Sequence, residues 1–204
     1  MKKILLALPT AGQIHWKVVS KLLEIMRDER YEVDFLISQM VGNEANRNII
    51  AREFLKTDFD FLLMMDCDNP PHKNPLDLVE LDKDVVSLPT PINMNQFEIN
   101  DFRWNIFDKY EDPNFPVCAR KFMGTGLEEV YAVGTGCILI ARRVLEKMSN
   151  PFTPVRDDTD KRKLSQDVVF SIRCHSEGFS LWTHWDYKCL HYKEIDLLTL
   201  IDQI

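Results

Sequence analysis

The stretch that decides the fold is residues 61–71, FLLMMDCDNPP. Five consecutive apolar residues predict a fully buried strand, and the two prolines cannot extend a central strand. Asp66 and Asp68 therefore stand where the strand ends. Because side chains alternate along a strand, both carboxylates are expected on one side, at the edge where open α/β sheets bind ligands. Two carboxylates there suit Mg²⁺ or Mn²⁺, and a metal there suits a diphosphate.

Strand and helix patterns alternate on both sides of this stretch. Apolar runs predict further strands at residues 3–8, 33–37 and 84–88. Helices are predicted at residues 43–55 and 74–81, and around the helically spaced apolar residues Val18, Val19, Leu22, Leu23 and Ile25. This alternation predicts an α/β fold with a doubly wound, mainly parallel central sheet flanked by helices.

The second half of the chain has a less regular pattern. Residues 92–128 show no sustained period and predict a long irregular segment, whose aromatic residues either floor an acceptor pocket or anchor the segment to the core. A strand with a glycine bend is predicted at 130–140, and a surface loop at 151–164. Helices are predicted at 141–148, at 166–176 with Gly178 as its C-cap, and from Glu194, with short strands at 181–182 and 187–190.

The composition favours an ordinary globular domain and disfavours several other classes of protein. The chain has 204 residues, 45% of them hydrophobic, which predicts one domain with a substantial core. The formal charge of −7, from 25 basic and 32 acidic residues, disfavours a broad nucleic-acid-binding surface. Five cysteines without a CxxC pair disfavour a disulfide framework or a zinc cluster. The apolar run at residues 4–8 is too short for a signal peptide, and no run could span a bilayer, so a cytoplasmic protein without a transmembrane segment is expected.

Several known acidic motifs do not fit the Asp66–Asp68 pair. An EF-hand loop needs a ligand and a glycine where Pro70 and Pro71 stand. A haloacid-dehalogenase phosphatase has Thr or Val at the position of Pro70 and carries its motif on the first strand. The chain also has no third glycine for a dinucleotide fingerprint and no P-loop. A solvated turn at the strand end is the remaining alternative to a metal site.

Four features occur in a fixed order along nearly the whole chain. Arg47-Asn48 precedes the acid pair, residues 133–143 (VGTGCILIARR) and 165–173 (SQDVVFSIR) follow it, and His191 comes last. This arrangement resembles the GT-A glycosyltransferases, particularly the large inverting, DxD-containing family 2, in a small single-domain form found in bacteria and viruses. The resemblance covers the chain from the first strand to His191.

The resemblance implies a role for each motif. Asp167 matches the catalytic base of the family's "ED" motif, although Gln166 stands where the family has Glu. The metal ligands for Mn²⁺ or Mg²⁺ would be drawn from Asp66, Asp68 and His191, with Asp68 binding directly. The nucleotide-diphosphate sugar, favoured as a UDP-sugar, would be bound by Pro9, Thr10, Ala11, Arg47, Asp66, Cys67, Gly134, Thr135 and Gly136.

Three of these residues also have simpler interpretations. Asp167 lies in good helix-capping sequence, where an acidic residue favours the helix dipole. His184 is an alternative to His191 as a metal ligand. Arg47 could be a surface residue paired with Glu44.

The implied function is transfer of a hexose or related sugar from the nucleotide donor to a hydroxyl acceptor, with inversion. We expect one GT-A domain over residues 1–204, with a nucleotide-binding half at 1–91 and an acceptor-binding and catalytic half at 92–204. Glycan, lipid-linked, protein and modified-DNA acceptors all stay open, and a viral origin would place the protein in the host cytoplasm. The alternatives are a nucleotidyltransferase, disfavoured because no glycine-rich basic loop follows the first strand, and a non-catalytic nucleotide-sugar-binding domain.

Overall fold

The structure is a computed structural model that describes residues 1–39, 42–93, 101–112, 115–156, 159 and 162–193. The helix predicted from Glu194 lies outside these residues. The helices are α1 (Trp16–Met26), α2 (Asn43–Leu55), α3 (Arg142–Leu145) and α4 (Gln166–Ser176), with 3₁₀ helices at Pro75–Leu81 and Trp185–Tyr187. The strands are β1 (Lys3–Thr10), β2 (Glu32–Gln39), β3 (Phe61–Met65), β4 (Val85–Ser87), β5 (Pro91–Asn93), β6 (Phe102–Trp104), β7 (Ile106–Asp112), β8 (Phe115–Ala119), β9 (Leu127–Glu129), β10 (Ala132–Val133), β11 (Cys137–Ala141), β12 (Val155–Arg156), β13 (Arg162–Leu164) and β14 (Leu181–His184).

The central sheet has seven strands in the order β2-β1-β3-β11-β4-β14-β9. Strand β1 pairs in parallel with β2 and β3, and β14 pairs in parallel with β4. Strand β11 runs antiparallel between β3 and β4, and β9 runs antiparallel at the edge beside β14. Five of the seven strands therefore share one direction, which confirms the predicted mainly parallel sheet. No helix among the described residues is long and apolar enough to cross a bilayer.

The best predicted elements are those with strong local signals. Strand β3 and helices α2 and α4 have the predicted bounds, and Gly178 follows α4 with a φ of +82°. Every side chain of β3 is buried, because the strand lies inside the sheet with both faces covered. In α1, by contrast, Val19 and Leu23 are exposed, although their spacing predicted burial.

Several predictions for the second half of the chain were wrong. Residues 92–128 contain strands β5 to β9, and 151–164 contains the β12–β13 pair. The single strand predicted at 130–140 is two, because the chain leaves β10 at Gly134 and enters a different sheet at β11. The helix predicted at 141–148 is only the short α3, and the strand at 187–190 is replaced by a 3₁₀ helix and one isolated bridge at Cys189.

The topology gathers four loops at one edge of the sheet. Strands β1, β3 and β4 end there, and the antiparallel β11 begins there. The backbone N–H of Asp66 donates to the carbonyl of Gly136 at 2.7 Å, and that of His15 donates to the carbonyl of Cys67 at 2.9 Å. The acid-bearing loop is therefore fixed on both sides by the neighbouring loops.

Candidate functional site

A cavity of about 310 Å³ opens at this edge of the sheet. The predicted donor, metal and base residues contribute most of its wall. It is lined by Pro9, Thr10, Ala11, Arg47, Asp66, Cys67, Asp68, Asn69, Thr90, Ile92, Asn105, Gly136, Gln166, Asp167, His191 and Lys193.

Two predicted donor-binding residues, Gly134 and Thr135, stand behind the wall instead of in it. Gly134 packs against Asn105 so closely that a Cβ on the glycine would lie 2.3 Å from the amide nitrogen. Thr135 is buried, and its hydroxyl donates to Oδ1 of Asp167 at 2.7 Å. The glycine segment thus positions side chains of the site, and only Gly136 faces the cavity.

Arg47 is a buried cation at the back of the cavity. Its side chain is 2% exposed, and its Nη2 donates to Oδ1 of Asp66 at 2.5 Å and to the carbonyl of Thr135 at 3.3 Å. The alternative of a surface pair with Glu44 is wrong, because helix α2 turns Arg47 toward the sheet edge. Its Nε and Nη1 atoms are buried and have no hydrogen-bond partner within the described part of the chain.

Asp66 is the most perturbed acid of the site. Burial raises the pKa of Asp66 to about 6, and the nearby charges of Asp167 and Asp68 act in the same direction, while Arg47 opposes them. Three carboxylates therefore converge on a cavity in which one buried guanidinium compensates part of their charge. Such a site favours the binding of a further cation.

Asp68 makes different contacts from Asp66. Its Oδ2 accepts a hydrogen bond from Nζ of Lys193 at 2.7 Å and lies 3.5 Å from Nε2 of His191. Burial raises the pKa of Asp68, but hydrogen bonds from His191 and Lys193 outweigh it and hold the pKa below its usual value. Asp68 is therefore held as a charged carboxylate.

Asp68 and His191 form a donor pair that fits Mg²⁺ or Mn²⁺. Nδ1 of His191 donates to the carbonyl oxygen of Pro91 at 2.7 Å, and this contact orients the ring so that Nε2 faces Oδ2 of Asp68. When Nε2 carries no proton, it and Oδ2 of Asp68 are two lone-pair donors close enough to bind the same cation. Mg²⁺ commonly takes only one or two carboxylates and completes its shell with phosphate and water. Within the described ranges, no group of three or more His, Cys, Asp and Glu residues could hold a metal alone.

His184, the alternative metal ligand, is engaged elsewhere. Its Nδ1 accepts from the backbone N–H of Asp186 at 3.4 Å, and its ring packs edge-on against Tyr187 at 4.8 Å. It does not line the cavity. Geometry therefore favours His191 as the histidine partner of Asp68.

Asp167 lies in the first turn of α4, where it has a structural role as well. Ser165 caps the helix by accepting from the N–H of Val168, and the carbonyl of Asp167 accepts from the hydroxyl of Ser171 at 2.9 Å. The carboxylate nevertheless lines the cavity. Its Oδ1 is held by Thr135, and its Oδ2 makes no hydrogen bond within the described part of the chain.

All the buried side-chain N and O atoms that lack a hydrogen-bond partner among the described residues belong to the cavity wall. They are Nε and Nη1 of Arg47, Oδ1 of Asn69 and Oε1 of Gln166. Buried polar groups are normally paired, so a cluster of unpaired ones indicates a place where water or a ligand supplies the partners. The unpaired atoms include both donors and acceptors, as a ligand with phosphate and hydroxyl groups requires.

The sequence did not indicate several residues of the cavity. Asn105 comes from the loop between β6 and β7 and fixes the loop after β4 by accepting from the N–H of Thr90 at 2.7 Å. Lys193 reaches Asp68 across 125 positions of sequence. Only Asn69 carried a usable signal, because it directly follows the acid pair.

Asp66 gives a testable dependence of stability on pH. A folded-state pKa near 6, above the usual 3.8, means that Asp66 stabilises the folded protein at low pH and that this contribution is lost as the pH rises from about 4 to 6. The difference corresponds to about 3 kcal/mol of unfolding free energy. Urea unfolding of wild type and Asp66→Asn at pH 4 to 8 should show the loss in the wild type alone. Parallel pH profiles of the two proteins would contradict the assignment.

Comparison with known proteins supports the fold. No protein-family profile and no curated protein sequence matches the chain. The crystal structure of A197 from STIV superposes with a TM-score of 0.62 at 20% identity, covering 95% of this chain and 87% of that one. The crystal structure of GalNAc-T7 with UDP, GalNAc and Mn²⁺ superposes with a TM-score of 0.55 at 12% identity. The superposition covers 96% of this chain but only 44% of the GalNAc-T7 chain, so this chain spans less than half of that protein's length. The protein therefore has the mixed α/β fold of the GT-A type that its sequence predicted.

Proposed function

We propose that this protein is a metal-dependent glycosyltransferase that moves a sugar from a nucleotide-diphosphate sugar to a hydroxyl acceptor with inversion. The observation that carries the proposal is the cavity itself: three carboxylates and every unpaired buried side-chain polar atom of the described residues meet at the carboxyl ends of parallel strands. The GT-A fold, shared with a structure that contains UDP, GalNAc and Mn²⁺, agrees with this chemistry.

The donor would lie along the wall from β1 to Asp66. The loop Pro9–Thr10–Ala11 meets the base and ribose, and Asp66, held by Arg47, accepts a hydrogen bond from a ribose hydroxyl directly or through water. The unpaired N–H groups of Arg47 suit a phosphate or carbonyl oxygen of the nucleotide. A UDP-sugar is the favoured donor.

Asp68 and His191 would hold the Mn²⁺ or Mg²⁺ ion, with the remaining positions left to the diphosphate and water. When bound, the ion supplies Lewis-acid stabilisation of the charge that grows on the leaving diphosphate. Lys193, whose Nζ already lies on Oδ2 of Asp68, contributes a second positive charge near the same phosphates.

Asp167 is the proposed general base. Because Thr135 holds Oδ1, the free Oδ2 is the atom that can accept the proton of the acceptor hydroxyl as the hydroxyl oxygen attacks the anomeric carbon. Attack from the face opposite the diphosphate inverts the anomeric centre. The unpaired amide oxygen of Gln166, next along the wall, can accept from a hydroxyl of either sugar.

Product analysis of two reactions tests this proposal: one contains a panel of nucleotide sugars with Mn²⁺, and the other contains nucleoside triphosphates and sugar phosphates with Mn²⁺. A glycosyltransferase breaks the bond between sugar and diphosphate, so slow hydrolysis in the absence of acceptor releases a nucleoside diphosphate. A nucleotidyltransferase instead releases pyrophosphate from a nucleoside triphosphate and a sugar phosphate. We expect nucleoside diphosphate release from one donor, abolished by EDTA. Pyrophosphate release alone, or no reaction with any donor, would overturn the proposal.

A further inference from the structure

A second and larger cavity, of about 580 Å³, lies behind the candidate metal site. Its wall combines cationic side chains with one large aromatic ring. It is lined by His72, Lys73, Pro91, Trp104, Asp186, Lys188, Cys189 and Leu190.

The two cavities share a thin wall. Pro91 lines the second cavity, while the next residue, Ile92, lines the first. The carbonyl of Pro91 accepts from Nδ1 of His191, and Leu190 on the same segment faces the second cavity. A molecule in the second cavity would therefore lie one residue away from the proposed metal-binding histidine.

The wall of the second cavity carries two lysines that form no ion pair with the described acidic residues. Lys73 and Lys188 make no ion pair within the described residues: Nζ of Lys73 lies 5.1 Å from the centre of the Tyr187 ring, and Nζ of Lys188 contacts the sulfur of Met123 at 3.9 Å. Asp186 is the single acid among the lining residues. In a chain of net charge −7, a concave surface with two free lysines favours an anionic ligand.

Trp104 gives this cavity a rigid aromatic surface. Its ring is half-buried and packs edge-to-face on Trp185, with centroids 5.7 Å apart and an interplanar angle of 86°. Trp185 is fully buried and donates from Nε1 to Glu128 at 2.7 Å, so its position is fixed. A large ring held in place contributes contact area at little entropic cost, and it suits the flat apolar face of a sugar.

We propose that the second cavity binds a carbohydrate that carries a phosphate or carboxylate group, at a site that the wall shared by the two cavities separates from the proposed catalytic base. Trp104 packs on the sugar ring, and Lys73 and Lys188 hold the anionic group. The binding that this inference requires is measured without nucleotide or metal, so it is tested independently of the proposed transferase function.

Glucose 6-phosphate, glucuronate and glucose are suitable probes, titrated into the full chain while intrinsic tryptophan fluorescence is recorded. We expect the two anionic sugars to bind at least about 10-fold more tightly than glucose, and the variant Lys73→Met/Lys188→Met to lose that preference. A preference for only one anionic probe identifies the acidic group. Equal affinity for charged and neutral sugars, or an unchanged preference in the double variant, would overturn the inference.

Two controls separate this inference from the proposed function. The double variant Lys56→Met/Lys147→Met removes the same charge from exposed positions outside both cavities and should keep the wild-type preference. UDP affinity with Mn²⁺ should stay within about twofold in Lys73→Met/Lys188→Met. If UDP binds and no anionic sugar does, the second-cavity inference alone fails. If anionic sugars bind and no nucleotide sugar does, the transferase function alone fails.

Discussion

Replacing Asp167 with asparagine is expected to lower the turnover number by about 100- to 10,000-fold, while donor affinity stays within about twofold of the wild type. The reason is chemical. Asp167 lines the cavity, and its Oδ2 makes no hydrogen bond within the described residues. The amide of asparagine cannot accept a proton at neutral pH. Initial rates of nucleoside diphosphate release with acceptor, combined with equilibrium donor binding, measure the two quantities separately.

The structure explains why this substitution should leave the fold intact. Thr135 can donate to the carbonyl oxygen of asparagine as it does to Oδ1 of Asp167, and Ser165 still caps α4. The matched control is Asp34→Asn in β2, where the exposed side chain accepts from the N–H of Phe35 and from no other group among the described residues. Turnover by Asp167→Asn equal to that of the control would refute the assignment of the base.

Replacing Asp68 with asparagine is expected to weaken Mn²⁺ binding in the presence of UDP by at least about 100-fold. Asp68 supplies the charged oxygen of the proposed two-ligand site, and an amide oxygen is a much poorer partner for a divalent cation. Titration of Mn²⁺ into protein saturated with UDP, followed by calorimetry, measures the change.

Lys193→Met is the informative companion variant. In the free protein, Nζ of Lys193 lies 2.7 Å from the same Oδ2 of Asp68 that would bind the metal. Removing this cation should tighten Mn²⁺ binding a few-fold when nucleotide is absent, because the carboxylate no longer has to release a partner. Weaker Mn²⁺ binding by Lys193→Met, or unchanged binding by Asp68→Asn, would show that the ion binds elsewhere.

Local sequence signals were enough to predict strand β3 and helix α4, the elements that carry the acidic residues of the site. The apolar run before Asp66 and the prolines after it define β3, because burial and the loss of a backbone donor act within a few residues. Helix α4 was predicted to its exact bounds, since Ser165 caps its start and Gly178 adopts the left-handed conformation after its end. These signals also put Asp66 and Asp68 at one sheet edge, whereas the resemblance to GT-A glycosyltransferases was needed to place Asp167 in the same site.

The direction and pairing of several strands could not be predicted from local sequence signals. The pattern of β11 predicts a buried strand, but no local property of its residues specifies that it runs antiparallel between β3 and β4. The strands between residues 102 and 119 were missed because they belong to two small sheets, β5–β6 and β10–β7–β8, that are held by backbone pairing without the apolar alternation of a core strand.

The interaction partners of the charged residues could not be predicted from the sequence either. The sequence offered Glu44 as a neighbour for Arg47, one helical turn away, but the structure pairs Arg47 with Asp66. Lys193 and Asn105 enter the site from distant loops whose paths depend on tertiary packing. In such cases the chemistry of a residue is visible in the sequence, whereas its partner is decided by the fold.

The central claim is that the cavity at Asp66 and Asp68 binds a nucleotide diphosphate together with a divalent metal. Thermal unfolding of the full chain with UDP, with Mn²⁺ and with both tests it most directly, because a ligand that binds only the folded state raises the melting temperature. We predict that UDP and Mn²⁺ together raise it by more than the sum of their separate effects, and that Asp68→Asn loses this excess. No shift with both ligands, or the same excess in Asp68→Asn, would contradict the account.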